Sequence, residues 1–486
     1  MGITRRKFVQ TTAAVGTLAA STGLPTRVFA AGQKTIKIGM NIPMTGDYAP
    51  WGLPGLYGCQ IVADDINAAG GVDIGGDNYA IEMVSYDHGY DIEKALQGYK
   101  KMVTEDDVSM IMMLGGATIG AVMPWGERKK VFTTTLLSSD VTPDTEHLLA
   151  PVENHPLYLV TIVEYLKRTY PNAKRAVIVT NNDVEYGLQA VATFQAAFEV
   201  AGIEVVDINL HGFDVTDFAP IVSSVLDKDP DIFCMATSFY TTTLMEQLYH
   251  QGYKGLVVSS TLDYHEEVIE KTSQEFVDGT IHCFPSFDDP KLNEAGIDFP
   301  DPNGFDAKFR AKHPNDWSAV SWEYPAIMLQ WIEGAKAAGS IESEAVLSAL
   351  KGNPNPPHVY GPGKWWGKEL WGSDNVIVGN WPVVAIEGGK TRIKEFGDVA
   401  GAMASAAHTV EREYNMQMVH QGYIEPHNAT ATWDEEDRIK IWTSTQGAFP
   451  ARTQIAGILQ VDVSRVKVTP TEIGGGFGGK IPVYFE

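Results

Sequence analysis

The chain is poor in cysteine and lacks a long apolar segment. Its 486 residues include only three widely spaced cysteines, Cys59, Cys234 and Cys283. An odd, scattered set excludes both a disulfide framework and a cysteine metal site, so we expect these to be small buried core residues. No stretch reaches the roughly 18 to 20 uninterrupted apolar residues of a transmembrane helix, and direct membrane insertion is not expected.

Basic residues are also scarce. Lys and Arg number 37 against 61 Asp and Glu, which gives a net charge of −24. A surface of this sign repels the phosphates of nucleic acids and of anionic lipids. Nucleic acid is therefore excluded as an expected partner.

The N-terminus has the layout of an export signal. Residues 4–9 form a twin-arginine pattern, a mildly apolar run extends from Thr11 to Leu24, and residues 28–30 form a small-residue cleavage site. This run is too short and too rich in alanine, glycine and threonine to be a membrane span. We expect a twin-arginine signal over residues 1–30 and a mature protein in the periplasm.

From Lys34 onward, β-rich apolar runs alternate with amphipathic helical segments, which is typical of βαβ units in an α/β fold with a mainly parallel sheet. The expected strands are Ile36–Ile42, Ile81–Tyr86, Ser109–Leu114, Val131–Leu137, Ala176–Thr180, Glu204–Leu210, Ile232–Ala236 and Leu256–Ser260. They form two successive sets of similar size, which implies two similar lobes. Because ligands of open α/β sheets bind at the carboxyl ends of parallel strands, we expect a ligand cleft between the lobes.

Four short motifs lie at or near these strand ends: residues 43–48, 63–72, 85–87 and 185–187. Together they resemble the type I periplasmic binding proteins of the leucine/isoleucine/valine group, the receptors of ABC importers, from about Thr35 to Phe396. The resemblance implies two Rossmann-like lobes joined by three crossings of the chain around a hinged cleft. It also implies a small-molecule ligand and the permease subunits of an ABC importer as partners.

The resemblance also implies a division of the chain. Lobe 1 would comprise residues 35–155 and 283–350, and lobe 2 residues 156–282 and 351–400. A linker would follow at 401–408. Residues 409–486 would form a partial α+β fragment.

Two loops of lobe 1 match the family's ligand contacts. Residues 115–118 follow the strand ending at Leu114, and residues 138–140 follow the strand ending at Leu137. In the family these loops hold the ligand's carboxylate through hydroxyl and backbone N–H groups. The ligand residues expected here are Trp51, which would cover the ligand, Ala117, Thr118, Ser138 and Ser139. The hydroxyl groups could instead cap helices, and Trp51 could simply pack its loop.

Lobe 2 is expected to contribute Tyr186, Phe239 and Asp263. Amino-acid binders of the family place an acid near position 261 to pair with the ligand's ammonium, whereas the nearest acid here is Asp263. A closed-in ammonium without a carboxylate partner is costly. Either Asp263 reaches the ligand, or the ligand is an amide or an aromatic or aliphatic carboxylate.

Residues 353–379 are dense in proline, glycine and tryptophan. They resemble a variant of the same receptor family in which tryptophans such as Trp365, Trp366, Trp371 and Trp381 pack beside the hinge. A closing hairpin over Val383 to Phe396 would follow, with its turn at Gly388 and Gly389. A platform that stacks on a sugar is the alternative use of these tryptophans.

The C-terminal eighty residues have a different character. Their motifs are residues 411–414, 420–427, 442–447 and the glycine-rich run 474–480. They resemble the molybdenum-binding large subunit of the xanthine dehydrogenase and aldehyde oxidase family. The resemblance implies that Gln446 approaches the metal's oxo ligand and that Phe477 and Gly478 lie against the molybdopterin. The run also fits phosphate-loop spacing, but Ile481 replaces the residue that should reach magnesium.

We expect this fragment to be a fusion or assembly remnant without oxidoreductase activity, with no catalytic residue, bound cofactor or metal site. The family's catalytic glutamate lies far downstream of the glycine-rich run, and His420 and His427 lack metal-ligand spacing. A loose hairpin from Ala429 to Ser444 is expected. Apolar side chains that should be core would be left exposed, namely Ile439, Ile441, Trp442 and Val466.

The sequence thus predicts a periplasmic substrate-binding protein of an ABC importer that closes two lobes on a small polar ligand. A molybdenum hydroxylase fusion or fragment is one alternative. A periplasmic sensor with the same cleft is the other.

Overall fold

The computed structural model describes residues 33–153, 157–182, 186–212, 215–236, 240–295, 297–397 and 422–481. The chain divides into two compact units, Met1–Glu411 and Arg412–Glu486, which are treated separately below. The predicted export signal, the predicted linker and Phe239 lie outside the described residues.

The first sheet of the larger unit has six strands in the order β2-β3-β1-β4-β5-β6. Its strands are β1 (Lys34–Ile42), β2 (Val72–Ile74), β3 (Asp77–Asp87), β4 (Met110–Met113), β5 (Thr133–Thr134) and β6 (Leu148–Leu149). All neighbours are parallel except the β2–β3 hairpin. The apolar run of β1 is buried on both faces, as expected for a parallel strand between helices.

The second sheet has seven strands in the order β17-β16-β11-β10-β9-β7-β8. Its strands are β7 (Arg175–Asn181), β8 (Glu204–His211), β9 (Ile232–Met235), β10 (Leu256–Ser259), β11 (Ile281–His282), β16 (Pro382–Glu387) and β17 (Lys390–Phe396). β7 to β11 are parallel, and the β16–β17 hairpin adds antiparallel to β11. Two sheets of this kind confirm the predicted α/β architecture and the closing hairpin, although the strand expected over Val131–Leu137 is only two residues long.

Helices connect the strands. In the larger unit they are α1 (Leu53–Ala68), α2 (Ile92–Lys101), α3 (Ala117–Lys129), α4 (Leu159–Thr169), α5 (Gly187–Ala201), α6 (Ala219–Leu226), α7 (Thr241–His250), α8 (His265–Lys271), α9 (Gln274–Val277), α10 (Pro290–Glu294), α11 (Pro302–Lys312), α12 (Val320–Ala338), α13 (Ser343–Lys351) and α14 (Lys368–Trp371). Several begin at a side chain that accepts a first-turn N–H. Asp91 caps α2 through the N–H of Lys94 at 2.9 Å, and Asp301 caps α11 through the N–H of Gly304 at 3.0 Å.

The chain passes between the two sheets after β6, after β11, and between Val378 and Pro382. The third crossing is later than the predicted boundary at residue 351. Strands β14 (Lys364–Trp366) and β15 (Val376–Val378) pair with each other, and Val376 bridges to Ala150 beside the first sheet. A long-range contact holds β15 there, because the Asn375 side-chain amide donates to the carbonyls of Thr145 at 2.8 Å and Leu148 at 3.0 Å.

Aromatic rings pack where the crossings meet. The buried Trp381 ring lies 5.0 Å from Tyr158, 5.0 Å from Phe284 and 5.3 Å from Tyr360, measured between centroids. Trp381 therefore packs beside the crossings, as predicted. The short ladder of β12 (Pro357–His358) and β13 (Gly361–Pro362) precedes it in the chain.

Trp365 makes contacts with Lys351 and Asn353 instead of with the rings at the crossings. Lys351 Nζ lies 3.9 Å from the ring centroid, and the indole N–H donates to the Asn353 carbonyl at 2.9 Å. These contacts make Trp365 a packing residue, in place of the alternative sugar platform.

The smaller unit contains a three-stranded sheet and one helix among its described residues. Strand β19 (Ile439–Thr443) lies between β18 (Ala429–Trp433), its antiparallel hairpin partner, and the parallel β20 (Val466–Pro470), and α15 spans Ala448–Leu459. The predicted hairpin is present.

The expectation of an exposed core in this unit is wrong for Ile439, Ile441 and Val466. These side chains are buried in one cluster with Ala456 of α15. A helix covers the sheet face to which alternate strand residues point. Trp442 points to the other face and is 39% exposed.

Cys59, Cys234 and Cys283 are free, buried thiols, as predicted. Among the described residues, no helix has both the length and the apolarity needed to cross a membrane.

Candidate ligand-binding site

Two loops of the first sheet meet at the carboxyl ends of β4 and β5. The backbone N–H of Gly116 donates to both carboxylate oxygens of Asp140, at 3.0 and 3.2 Å, and the Thr135 hydroxyl donates to Asp140 Oδ2 at 2.6 Å. Gly115 has a φ of +121°, and a Cβ there would lie 2.6 Å from both Asp140 Oδ2 and Thr135 Oγ1. Glycine at position 115 allows the loops to touch, and Asp140 joins them.

The predicted contacts of lobe 1 lie on these loops. Ala117 and Thr118 are the first two residues of α3, and the residue before them, Gly116, has no side chain that could cap the helix. The Thr118 hydroxyl donates to the Gly115 carbonyl at 2.9 Å, so it stabilises the loop. Ser138 is buried and Ser139 half-buried in a 3-10 turn at Ser138–Asp140. The electropositive N-terminus of α3 is already in contact with the Asp140 carboxylate.

Trp51 is half-buried at the end of a short 3-10 turn, Ala49–Trp51, and packs against the main core. Its loop is held in place by Asp87, which accepts the N–H of Met44 at 2.8 Å and the hydroxyl of Thr45 at 2.6 Å. Ser318, just before α12, donates to the Pro50 carbonyl at 3.2 Å. These bonds fix the loop that carries Trp51.

The second lobe contributes Tyr186 and Asp263. The Tyr186 hydroxyl lies 3.5 Å from that of Tyr158. Burial raises the pKa of Asp263 to about 7, although the backbone N–H of Ala319 and the hydroxyl of Thr261 favour its charged form. Ala319 directly precedes α12, which packs with the first sheet, so Asp263 interacts with both lobes.

Two buried carboxyl groups at this site escaped the sequence analysis. Glu153 lies in the first crossing and is 7% exposed, and burial raises its pKa to about 8 against the effect of the Tyr158 hydrogen bond. Glu323 lies in the first turn of α12 and is 1% exposed. Burial raises the pKa of Glu323 well above its usual range, and the charges of Glu153 and Asp263 raise it further. In the sequence, Glu323 could have been recognised as an acidic residue inside the apolar run of α12.

Several buried polar atoms of the larger unit have no hydrogen-bond partner among the described residues. On α12 and beside the crossings they include Glu323 Oε1, Trp322 Nε1, Tyr324 Oη, Tyr360 Oη and Trp381 Nε1.

A cavity of about 160 Å³ adjoins Asp263. Its lining combines residues 262–267 of the second lobe with Phe284, Ser286, Arg310 and Trp317. The Arg310 guanidinium is already engaged, since its Nε donates to Asp306 at 3.0 Å and its Nη2 to the Ser286 hydroxyl at 3.0 Å. Within the described residues, no group of three or more His, Cys, Asp or Glu could hold a metal ion.

The glycine-rich run of the smaller unit closes on its own side chains. Gln446 Oε1 accepts the N–H groups of Gly478 at 2.9 Å and of Lys480 at 3.2 Å. Glu425 accepts the N–H of Gly474 at 2.6 Å and the buried Lys480 ammonium at 2.7 Å. These donors are used internally, whereas the Phe477 ring is 72% exposed. In this arrangement Gln446 and the Gly478 N–H, two of the three groups expected at a molybdopterin, do not fit that role because they bond to each other.

The smaller unit nevertheless has molybdenum-enzyme relatives. The sequence model for the molybdopterin cofactor-binding domain matches residues 385–486. The aldehyde oxidoreductase molybdenum-binding subunit PaoC of Escherichia coli O157:H7 is 39% identical over 88 residues, which are 18% of this chain and 12% of that protein. The nicotinate dehydrogenase large molybdopterin subunit of Eubacterium barkeri is 33% identical over 87 residues, 18% of this chain and 20% of that protein. The chain thus spans a fifth or less of the length of these relatives.

Solved structures share the fold of the larger unit. A leucine binding protein from Thermotoga maritima superposes with a TM-score of 0.61 at 18% identity, covering 75% of this chain and 99% of that one. A branched-chain amino acid binding protein from Streptococcus pneumoniae, in complex with isoleucine, gives 0.58 at 21% identity over 75% and 99% of the chains. A solute binding protein from R. palustris, in complex with benzoate, gives 0.58 at 16% over 75% and 98%.

The sequence model described as periplasmic binding protein matches residues 35–390, nearly all of the larger unit that the structure describes. This match agrees with the two sheets, the three crossings and the polar residues gathered between them. The chain belongs to the periplasmic binding protein family.

Proposed function

We propose that the protein is the substrate-binding component of an ABC importer and captures a small polar ligand between its two lobes in the periplasm. The observation that carries the proposal is a cavity of about 160 Å³ whose lining joins Asp263 of the second lobe to Arg310 and Trp317 of the first. Polar groups on two lobes bind one ligand best when the lobes close around it.

The proposed ligand contacts are Trp51, Ala117, Thr118, Ser138, Ser139, Tyr186, Phe239 and Asp263. Support comes from the described members, each of which lies on a segment that follows a strand of one of the two sheets. The solved relatives bind leucine, isoleucine or benzoate according to their descriptions, which makes amino acids, amides and carboxylates the classes to test.

The chain connects the lobes at three crossings, and rotation about them that closes the cleft is the proposed binding motion. The closed form would deliver the ligand to the permease subunits of the importer. Export by the twin-arginine signal at residues 1–30 belongs to the same proposal, since a receptor of this kind works outside the cytoplasmic membrane.

A thermal-shift screen of the full chain without residues 1–30 tests the proposal. A ligand at a hundred times its dissociation constant stabilises the folded protein by about 2.7 kcal/mol. We expect at least one amino acid, amide or carboxylate to raise Tm, and we expect Trp51→Ala to weaken that shift. Trp442→Ala, in the smaller unit, is the matched control and should leave it unchanged. If no compound of a wide screen stabilised the protein, the proposed receptor function would be refuted.

We propose further that the smaller unit has no oxidoreductase activity of its own. The internal use of the loop donors by Gln446 and Glu425 supports this. Molybdenum content of the purified protein and aldehyde-dependent dye reduction are the measurements. Stoichiometric molybdenum with turnover would overturn this part of the proposal and leave the receptor function untouched.

A further inference from the structure

We infer that the ligand of the cleft presents an uncharged polar group, such as an amide, to the first lobe, and that Asp140 excludes a ligand carboxylate from that position. The inference rests on the proposed receptor function and narrows its substrate class. The family resemblance predicts that the loops at residues 115–118 and 138–140 hold the ligand's carboxylate. In this chain a carboxylate of the protein itself lies between these loops.

The first argument is the geometry around Asp140, at the carboxyl ends of β4 and β5. Its carboxylate accepts the Gly116 N–H with both oxygens, at 3.0 and 3.2 Å, and the Thr135 hydroxyl at 2.6 Å. Gly115 leaves room for it, since a Cβ at that residue would lie 2.6 Å from Asp140 Oδ2. Hydrogen bonds to a charged acceptor are stronger than neutral ones, so a ligand carboxylate would have to displace Asp140 to obtain these donors.

The second argument is the hydrogen-bonding capacity of this rim. The Thr118 hydroxyl donates to the Gly115 carbonyl at 2.9 Å, so the hydroxyls of Thr118 and Thr135 both use their hydrogen within the loops. An ionised carboxylate can only accept hydrogen bonds, whereas an amide also donates them. The half-buried Asp140 carboxylate is an acceptor, and it attracts an amide N–H and repels an anion.

The third argument is the cavity beside Asp263. Three acidic residues of the segment 263–267 line it, together with Arg310 and His265. The Arg310 guanidinium donates to Asp306 at 3.0 Å, and burial lowers the pKa of His265, which favours the neutral ring. A ligand carboxylate in this cavity would therefore meet acidic residues and a guanidinium that is already paired.

Isothermal titration of the full chain without residues 1–30 tests the inference with three pairs of compounds, in each of which an amide replaces a carboxylate. The pairs are 4-methylpentanoate and 4-methylpentanamide, benzoate and benzamide, and leucine and leucinamide. We expect the amide of at least one pair to bind at least about tenfold tighter than its carboxylate, because two carboxylates at hydrogen-bond distance repel each other.

Asp140→Asn assigns the preference to this side chain. The substitution removes the charge and keeps an oxygen that can accept the Gly116 N–H. We expect it to reduce the ratio of amide to carboxylate affinity by about tenfold. Asp144→Asn, which changes an exposed acid in the following loop, is the matched control and should keep the ratio of the unaltered protein.

Asp140→Ala adds a test that needs no known ligand. This variant has no carboxylate between the two loops, and acetate is small enough to take that position. We expect sodium acetate, compared with sodium chloride at equal ionic strength, to raise the Tm of Asp140→Ala and to leave that of the unaltered protein unchanged. A purely structural role of Asp140 predicts no such rescue.

Three results would overturn the inference and retain the receptor. They are equal or tighter binding of the carboxylate in every pair that binds, an affinity ratio that Asp140→Asn leaves unchanged, and an equal effect of acetate on Asp140→Ala and the unaltered protein. Failure of all six probes would also refute it, while the wider thermal-shift screen decides separately whether the protein is a receptor. If Asp140→Ala does not fold, the titrations of Asp140→Asn decide alone.

Discussion

The carboxylate of Asp140 accepts the backbone N–H of Gly116 with both of its oxygens, at 3.0 and 3.2 Å. This relationship joins the loop after β4 to the turn after β5, and it fixes the start of α3 relative to Ser138 and Ser139. Four predicted ligand contacts of the first lobe, Ala117, Thr118, Ser138 and Ser139, therefore lie on one joined structure rather than on two independent loops.

Asp140→Ala should destabilise the protein and weaken ligand binding. The change leaves the Gly116 N–H and the Thr135 hydroxyl without their acceptor, which costs about 1–3 kcal/mol of unfolding free energy. Urea unfolding measures the loss. Asp144→Ala, an exposed acid nearby, is the control and should change stability by less than about 0.5 kcal/mol. Equal stability of the two variants would contradict this account.

Two glycines near the start of α3 should respond in opposite ways to alanine. Gly115→Ala should lower stability by more than about 1 kcal/mol, because φ is +121° and the new Cβ meets Asp140 and Thr135. Gly120→Ala has open space around the new Cβ and a helical backbone, so it should raise stability by about 0.5–1 kcal/mol. Thermal denaturation of both variants provides the comparison. A Gly115→Ala protein as stable as Gly120→Ala would show that the loop contact is not tight.

Above about pH 6.5 the unfolding free energy should fall as the pH rises. Burial raises the pKa of Glu153 to about 8 and that of Asp263 to about 7, whereas both groups titrate near pH 4 in an unfolded chain. The folded protein therefore holds more protons within this range. The stability that these two protonated carboxyl groups contribute to the folded state is fully present below about pH 4. It is lost as the pH rises to about 8. Urea unfolding at several pH values measures the slope.

Two buried histidines restrict this test to pH values above about 6.5. Burial lowers the pKa of His282 to about 3 and that of His358 to about 4. These rings favour the folded state above about pH 6.5 and oppose it as the pH falls, against the trend of the acids. Glu153→Gln should flatten the slope above this pH, and Glu333→Gln should not. An unchanged slope in Glu153→Gln would mean that this carboxyl titrates normally.

Glu425→Gln should loosen the glycine-rich run of the smaller unit. The Lys480 ammonium and the Gly474 N–H lower the pKa of Glu425 to about 2, so the charged contact persists in neutral solution. Its removal leaves a buried ammonium unpaired, and we expect faster hydrogen exchange at residues 474–480. Glu435→Gln, in the exposed turn of the hairpin, is the control. Identical hydrogen exchange in both variants would show that the Glu425 carboxylate does not hold the glycine-rich run in place.

The alternation of strands and helices was sufficient to predict two lobes, because each βαβ unit is recognisable from local periodicity. The third crossing was misplaced because its position depends on Asn375, whose amide reaches carbonyls more than two hundred residues away in the chain. The smaller unit was expected to expose Ile439 and Val466. That expectation ignored α15, which covers the sheet from within the same fragment.

The candidate site could be predicted only in part for a similar reason. Loops after strands are visible in a sequence, and the family resemblance predicts Ser138, Tyr186 and Asp263 as ligand contacts on such loops. Glu153 and Glu323 follow no strand of the cleft pattern, and only the fold shows that both are buried, one in a crossing and the other on a helix. An acid such as Glu323 inside an apolar helix is a signal that can be searched for directly.

The packing at the crossings has an optical consequence. The indole rings of Trp322 and Trp381 lie 6.2 Å apart at an angle of 53°, one on a helix of the first lobe and the other at the entrance to the hairpin of the second. Two indoles at this separation interact electronically, and their circular dichroism depends on the angle between them. If one sheet rotated against the other and changed this angle, the near-ultraviolet circular dichroism of the unlabelled protein would change with it.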